Sequence, residues 1–281
     1  MRITLWPACV RTHDLRTQLA AAKACGYTHL PIGRVAYKSL RHEGLSDADI
    51  VDLYASYGIK PGHYDGFSDW APVRFNDDLP DEAKAVFDSS ADECLEICQN
   101  LGIDRVCATG TFHAGQFALE QVSAGFHDFC RQAEAAKVQV DLEFLPMWGV
   151  PDLETAWKIL TPDRPNNGHL MIDSWHFYRG NPDLELLESL PPGTIETVQL
   201  ADALHKLQSD NLFEDCLCYR RPPGEGELDL QHFLEALSRQ SVLDIGPEIF
   251  SIELDQLDAQ TAARNCLDAT MKTLKRADWS P

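Results

Sequence analysis

Four oxygen-bearing side chains follow one another along the second half of the chain, each near the end of a short apolar run. They are Glu143, Asp173, Gln199 and Glu248. Carboxylate and amide oxygens bind hard divalent cations, and carboxylates also accept and return protons. The pattern therefore predicts a metal site that holds a small substrate for proton transfer. Glu253, shortly after Glu248, is the competing candidate for the last position.

The charge of this set indicates what it binds. Three carboxylates directed into one space repel one another, and a buried unpaired charge costs several kcal/mol. A divalent cation between them is the simplest remedy. Because the set contains no thiolate and no imidazole, we expect one Mn²⁺ or Mg²⁺ ion, with Co²⁺ as a further candidate and zinc less favoured.

The elements that carry these residues repeat along the whole chain. Short apolar runs at 2–8, 28–32, 60–64, 105–108, 138–145, 169–173, 196–200 and 246–249 predict eight strands. Amphipathic runs at 14–24, 46–57, 81–100, 120–136, 153–160, 183–189, 231–238 and 255–274 predict helices between and after them. Eight β-then-α repeats without a flexible linker favour an α/β fold, a (β/α)8 TIM barrel with a single domain over residues 1–281.

Such a fold brings the strand ends together. Active sites of (β/α)8 barrels lie at the carboxyl ends of the strands. Because side chains alternate between the two faces of a strand, Glu143 and Gln199 are predicted to point toward the barrel axis. Two long stretches without a helical pattern, 65–79 and 201–226, are predicted to be loops on the same face.

Composition excludes several classes of protein. The 281 residues include 24 Lys and Arg against 44 Asp and Glu, a net charge of −20. Phosphate backbones would repel such a chain, so a nucleic-acid partner is not expected. No apolar run reaches the roughly 18 residues of a membrane span, and no signal-peptide core is present, so we expect a cytoplasmic protein without a membrane partner. The nine cysteines form no CxxC pair and are expected to be reduced thiols.

The motifs of the second half are similar to those of a known superfamily. In order, they are Glu143 and the residues at 173–180, 199–202, 223–229 and 248–251. Together they resemble the xylose-isomerase-like TIM-barrel superfamily, which is also called the sugar phosphate isomerase/epimerase family. It includes inosose isomerases and dehydratases, 3-dehydroshikimate dehydratases and endonuclease IV. The net charge argues against endonuclease IV, which needs a basic face for DNA.

The resemblance implies roles for single residues. It implies four metal ligands, Glu143, Asp173, Gln199 and Glu248, and makes His176 a group that contacts a ligand or the substrate. Most epimerases of the family have histidine at the position of Gln199, whereas some 3-dehydroshikimate dehydratases have glutamine. The D-tagatose 3-epimerase type also has a glutamate and an arginine at the positions of Gly149 and His205. These differences weaken the interpretation as a ketohexose epimerase.

Three further side chains are candidates to bind the substrate. His63 ends the third predicted strand, and its alternative role is that of a buried packing residue. Arg220 and Arg221 lie in the long second loop, where either could pair with a substrate carboxylate or phosphate. The alternative for each arginine is a solvated loop side chain.

The function expected from these residues is a metal-dependent isomerase or epimerase acting on a small sugar, polyol or keto acid. Glu143 would remove a proton beside a metal-chelated carbonyl, and Glu248 would return one to the other face. The alternative is a lyase, a dehydratase of the 3-dehydroshikimate or inosose type, with His176 as the base. A sugar-binding protein without turnover and a metal-dependent hydrolase are less favoured. The expected partner is a small molecule, and a homo-oligomer is left open.

Overall fold

The structure, a computed structural model, describes residues 1–161 and 163–279. Its strands are β1 (Arg2–Ile3), β2 (His63–Phe67), β3 (Arg105–Thr109), β4 (Gln139–Glu143), β5 (Gly168–Asp173), β6 (Ile195–Leu200) and β7 (Asp244–Pro247). Its helices are α1 (Leu15–Cys25), α2 (Arg34–His42), α3 (Asp47–Tyr57), α4 (Asp81–Phe87), α5 (Ala91–Leu101), α6 (Leu119–Ala135), α7 (Leu153–Leu160), α8 (Ser174–Arg179), α9 (Leu184–Ser189), α10 (Leu212–Cys218), α11 (Leu230–Ala236) and α12 (Ala259–Arg276). Strands and helices alternate as the sequence predicts.

One compact unit comprises residues 1–30, 57–59 and 172–281. Its strands β1, β7 and β6 are parallel and hydrogen-bonded in that order. Helix α1 begins at Asp14, whose carboxylate accepts the backbone N–H of Thr17, and ends at Gly26 in the left-handed region at φ +94°. Arg264 of α12 donates to the last carbonyls of α1. The pairing of β6 with β7 places Gln199 in register with Gly246, two residues before Glu248.

The second compact unit comprises residues 31–56 and 60–171. Strands β5, β4, β3 and β2 pair in parallel in that order, with Thr109 of β3 in register with Glu143 of β4. Helices α6 and α7 pack together, and Ser123 donates to the carbonyl of Ile159. The last two residues of β5, at positions 172 and 173, belong to the first unit.

The predicted strand at 28–32 differs from the others. It forms two isolated parallel bridges, Thr4 with His29 and Ile32 with Tyr64, and no continuous ladder. Pro31 lies between the bridged residues and has no N–H to donate, which explains the interruption.

Two predictions about helices are wrong. The helix predicted at 81–100 is divided into α4 and α5, because Ser90 accepts the backbone N–H of Glu93 and starts a new helix. The stretch 201–226, predicted to lack a helix, contains α10. Helices α2, α8 and α10 have only six to nine residues, too few to display a clear 3.6-residue period. Within the described residues, no helix is long and apolar enough to cross a membrane.

The cysteines are free thiols, and all except the half-buried Cys218 are buried. Burial raises the pKa of Cys130 to about 12 and that of Cys216 to about 11. Most of these thiols therefore pack as small apolar groups. Cys107 and Cys216 differ, because each contacts a charged side chain described below.

Candidate functional site

Asp173 links the end of β5 to the start of α8. Its Oδ1 accepts the backbone N–H of His176 at 2.8 Å, which makes Asp173 the N-cap of the helix that carries this histidine. Both side chains are buried. Burial raises the pKa of Asp173, and the neighbouring Arg220 and the helix N–H groups act in the opposite direction.

Arg220 supplies a positive charge beside two of the predicted ligands, although its side chain is only 1% exposed. Its Nη1 donates to Asp173 Oδ2 at 3.0 Å and to Glu248 Oε2 at 3.2 Å. Its Nη2 donates to His176 Nε2 at 3.2 Å and to Cys216 Sγ at 3.0 Å. Nε donates to the backbone carbonyl of Cys216 at 3.1 Å. All three guanidinium nitrogens therefore donate to protein atoms.

The Arg220 guanidinium also lies between two aromatic rings. Its central carbon is 5.0 Å from the centroid of Trp175 and 5.0 Å from that of Phe250. Planar guanidinium groups are stabilised over aromatic faces. Burial alone would lower the pKa of Arg220, but its contacts with Cys216 and Asp173 raise it, so the group stays charged.

The backbone around Arg220 is held by two antiparallel bridges. They join Tyr219 to Ser251 and Arg221 to Asp202. A short extended segment therefore replaces the open loop predicted here, and it directs the Arg220 side chain inward. The side chain of Arg221 is half-buried and lies 3.5 Å from the Glu225 carbonyl and 3.5 Å from Gln208 Oε1. A role for Arg221 in substrate binding stays a prediction.

Asp202 closes the loop that follows Arg221. Its Oδ1 accepts the backbone N–H of Leu228 at 3.0 Å, and its Oδ2 accepts that of Gly224 at 2.9 Å. The Asp202 side chain is 1% exposed, so these are buried, charge-assisted hydrogen bonds. This explains the glycine-rich motif at 223–229 as a structural element that fixes the segment carrying Arg220.

Gly226 is the position of this loop that tolerates a side chain least. A Cβ there would lie 2.3 Å from Asp202 Oδ1 and 2.5 Å from the Ala203 carbonyl. We expect Gly226→Ala to lower the free energy of unfolding by about 1–3 kcal/mol through overpacking, as measured by urea denaturation. Glu225→Ala, at an exposed position of the same loop, is the control and should change stability by less than about 0.5 kcal/mol. Equal stability of the two variants would contradict this role of Gly226.

Gln199 and Glu248 form a second contact within the same cluster. Gln199 Nε2 donates to Glu248 Oε1 at 3.0 Å, and the Gln199 side chain is fully buried. Its Oε1 is also buried, and nothing in the described part of the chain hydrogen-bonds to it. Glu248 directly follows β7 and is 7% exposed, whereas Glu253 is exposed to solvent. Glu248 is therefore the glutamate that joins the cluster.

His176 is uncharged in this environment. Burial lowers its pKa well below the usual value, and the charge of Arg220 lowers it further. Since Nε2 accepts the Arg220 N–H, the ring proton is assigned to Nδ1. One ring nitrogen of His176 and one carboxylate oxygen of Glu248 lie within 4.8 Å of each other.

The donors of this cluster fit a divalent cation. Asp173 and Glu248 offer carboxylate oxygens, and the buried Gln199 Oε1 lacks a hydrogen-bond donor among the described residues. A buried carbonyl oxygen without a partner is costly unless a cation or a donor meets it. Arg220 balances one of the two negative charges and leaves the other for a metal ion. Oxygen donors of this kind suit Mn²⁺ or Mg²⁺.

Glu143 is the last residue of β4 in the second unit. It is 5% exposed, and its Oε2 accepts the thiol of Cys107 at 3.2 Å. Its register partner on β5 is Met171, two residues before Asp173 on the same strand. The predicted ligand Glu143 therefore lies at the carboxyl end of a strand.

His63 is fully buried in the second unit. Its Nε2 lies 3.0 Å from Asp141 Oδ2, and Asp141 also accepts two hydrogen bonds from Arg105. Burial alone would raise the pKa of Asp141, but Arg105 holds it well below the usual range. His63 thus belongs to a buried ionic network, and its predicted role in substrate binding stays a prediction.

Three residues that contact the candidate side chains were not predicted from the sequence. Cys216 and Phe250 hold Arg220, and Cys107 holds Glu143. Phe250 lies two residues after Glu248, and Cys107 lies two residues before Thr109 on the same face of β3, so the position of each could have been inferred from the strand pattern. Cys216 lies on a short helix of the long loop and carried none.

The chain is similar to known proteins of one family. The family model described as "Xylose isomerase-like TIM barrel" matches residues 19–270. An inosose isomerase of Bacillus velezensis is 24% identical over 264 residues, 92% of this chain and 91% of that protein. An inosose isomerase of Bacillus subtilis is 25% identical over 189 residues, 65% of this chain and 66% of that protein.

A solved structure shares the fold. The crystal structure of the IolI protein with a bound zinc atom has a TM-score of 0.82 and 21% identity, and the match covers 99% of each chain. This likeness confirms the predicted (β/α)8 barrel. Since the family model also spans most of the sequence, the chain belongs to the xylose isomerase-like TIM barrel family.

Proposed function

We propose that the protein is a divalent-metal-dependent isomerase or epimerase of small, uncharged polyhydroxy ketones. The observation that carries the proposal is the buried cluster in which Arg220, Gln199, Asp173 and Glu248 converge, with Gln199 Oε1 still available. The relatives named inosose isomerase support an isomerisation as the reaction. They also support the proposed substrate class, because an inosose is an uncharged polyhydroxy ketone.

The metal would be held by four oxygen donors, Glu143, Asp173, Gln199 and Glu248. When bound, it would draw electrons from the carbonyl of the substrate and so acidify the neighbouring C–H. We propose Mn²⁺ or Mg²⁺ from the hardness of the donors, with Co²⁺ as a further candidate. Zinc is a further outcome to test, since the IolI structure contains it.

Glu143 and Glu248 would carry the proton transfers. Glu143 would take the proton from one face of the acidified carbon, and the carboxylic-acid form of Glu248, protonated from water beforehand, would return a proton to the opposite face. Loss of the Glu143 proton to water would then complete the cycle. Gln199 Nε2 fixes Oε1 of Glu248, and Cys107 fixes Oε2 of Glu143, so each carboxylate keeps one orientation. Because the carboxylates are already oriented, less entropy is lost when they and the substrate reach the reacting geometry.

The engagement of Arg220 argues for an uncharged substrate. Its three nitrogens donate to six protein atoms, and its charge is balanced by Asp173 and Glu248. A substrate carboxylate or phosphate would have to displace these buried contacts, which is unfavourable. In this proposal Arg220 orients the carboxylates of Asp173 and Glu248. It does not pair with a substrate anion, which is the role predicted for it from the sequence.

The state of His176 favours isomerisation over dehydration. A dehydratase would use this residue as the base, but Nε2 accepts the Arg220 N–H and the pKa is well below neutral. A neutral imidazole with its proton on Nδ1 is suited to donate a hydrogen bond to a substrate oxygen. Dehydration is therefore the alternative outcome of the test below.

Proton NMR in D2O would test the proposal with a panel of substrates. The panel contains ketoses, inososes, a ketose phosphate and 3-dehydroshikimate, each incubated with the purified protein and Mn²⁺. We expect deuterium to enter beside the carbonyl of an uncharged ketone, together with a new isomer. An unsaturated or aromatic product would assign the protein to the dehydratases. Turnover restricted to the phosphate or carboxylate compounds would overturn the proposed substrate class.

A further inference from the structure

Strands β3 and β4 place their polar side chains in a regular ladder. Arg105 donates to Asp141, and Cys107, two residues later, donates to Glu143. Cys107 is in register with Asp141 but contacts Glu143, two residues further along β4. Arg105 is likewise in register with Gln139 but contacts Asp141. Side chains two apart on a strand share a face, so Thr109 is the next member of this series.

Thr109, unlike Arg105 and Cys107, has no hydrogen-bond partner for its side chain among the described residues. It is the last residue of β3, 3% exposed and in register with Glu143, so its Cα lies roughly 5 Å from that of Glu143. The Glu143 carboxylate extends back to Cys107, and β4 ends at Glu143. Within the described residues, Thr109 Oγ1 is buried and makes no hydrogen bond.

The backbone of Thr109 is fixed although its hydroxyl is not. Trp70 Nε1 donates to the Thr109 carbonyl at 2.8 Å, and ladder pairing holds the strand. A threonine in a strand also has few χ1 choices. A buried hydroxyl without a partner costs folding free energy, which indicates that its partner comes from outside the chain.

We propose that Thr109 is a substrate-binding residue whose hydroxyl meets a hydroxyl or carbonyl oxygen of the substrate beside Glu143. This rests on the proposed function, because it takes Glu143 as the proton-transfer group. The ligand class is an uncharged polyol ketone, since a hydroxyl donates to and accepts from alcohol oxygens and does not neutralise an anion. Thr109 then selects substrates that carry an oxygen at this position.

The test uses variants that separate binding from folding. Thr109→Val keeps the shape and removes the hydroxyl, and Thr109→Ser keeps the hydroxyl. We expect Thr109→Val to lower kcat/KM for the uncharged ketone about tenfold, mainly through KM, while its melting temperature stays equal or rises. Thr109→Ser should retain most of the wild-type kcat/KM.

Thr111→Val is the matched control for folding. The Thr111 hydroxyl is also buried, but it donates to the Arg74 carbonyl at 2.9 Å, so its removal should lower the melting temperature. Wild-type kcat/KM in Thr109→Val would overturn the inference, as would a melting temperature that falls as in Thr111→Val.

A calorimetric titration separates this inference from the proposed function. If the wild-type chain binds an uncharged ketone in Mn²⁺ without turnover, the proposed reaction fails, and a tenfold weaker Kd in Thr109→Val still supports the role of Thr109. If the wild-type chain neither binds nor converts any ketone of the panel, both are overturned. If it is active and Thr109→Val matches it, only the inference on Thr109 is overturned.

Discussion

Arg220→Met is expected to destabilise the metal-free protein by about 3–5 kcal/mol, because it leaves two buried carboxylates without their cation. Asp173 and Glu248 both contact the guanidinium, and neither has enough solvent exposure to be screened. Methionine keeps much of the apolar volume between Trp175 and Phe250, so the loss reports mainly on charge. Urea denaturation in EDTA measures it.

Mn²⁺ should restore part of this stability. A cation that binds only the folded state stabilises it by RT ln(1 + [L]/Kd), about 2.7 kcal/mol at a hundredfold excess over Kd. Without the competing guanidinium the variant has one more uncompensated negative charge, so Mn²⁺ should stabilise it more than the wild type. Arg221→Met is the neighbouring control and should lose less than about 1 kcal/mol. Equal stability of Arg220→Met and the wild type in EDTA would contradict the ionic account of the cluster.

Glu143→Gln and Glu248→Gln are expected to lower the isomerisation rate by about 10²–10⁴, the usual contribution of a general acid or base. Glutamine keeps the size of the side chain and one oxygen donor, and it removes the ability to take up a proton. Because the two residues act on opposite faces, each variant should still exchange deuterium with one isomer. Glu248→Gln should exchange with the substrate, and Glu143→Gln with the product.

Glu253→Gln is the matched control for these two variants. Glu253 is exposed and follows Glu248 by only five residues, so its charge can be removed without disturbing the buried cluster. It should keep the wild-type rate. Metal content is measured in all three variants, because a variant that has lost its metal would be inactive for that reason. A metal-loaded Glu143→Gln that interconverts the isomers at the wild-type rate would contradict the assignment of the base.

The positions of the oxygen-bearing side chains at the strand ends could be predicted from the sequence because they depend on local pattern. The two-residue alternation along β4 places Glu143 at a strand end facing inward, and the apolar run before Asp173 does the same for β5. The order of oxygen donors along four strands required no knowledge of loop conformation. The same alternation also points to Cys107 and Thr109, whose types carry weaker chemical signals.

The position of Arg220 could not be predicted, because it depends on contacts between segments distant in sequence. Its backbone is held through Tyr219 and Ser251, and its side chain lies between rings 45 and 30 positions away in the chain. Nothing in the local pattern of 201–226 distinguishes Arg220 from Arg221. The interruption of the predicted second strand, in contrast, follows from Pro31 and is a local effect.

The most direct test of the central claim is the metal dependence of proton exchange in the wild-type protein. The rate of deuterium entry into an uncharged ketone is measured by NMR after EDTA treatment, and again after Mn²⁺ is added back in steps. We expect no exchange in EDTA and full recovery at one Mn²⁺ per chain. Exchange that proceeds at the same rate in EDTA, or no exchange at any Mn²⁺ concentration, would contradict it.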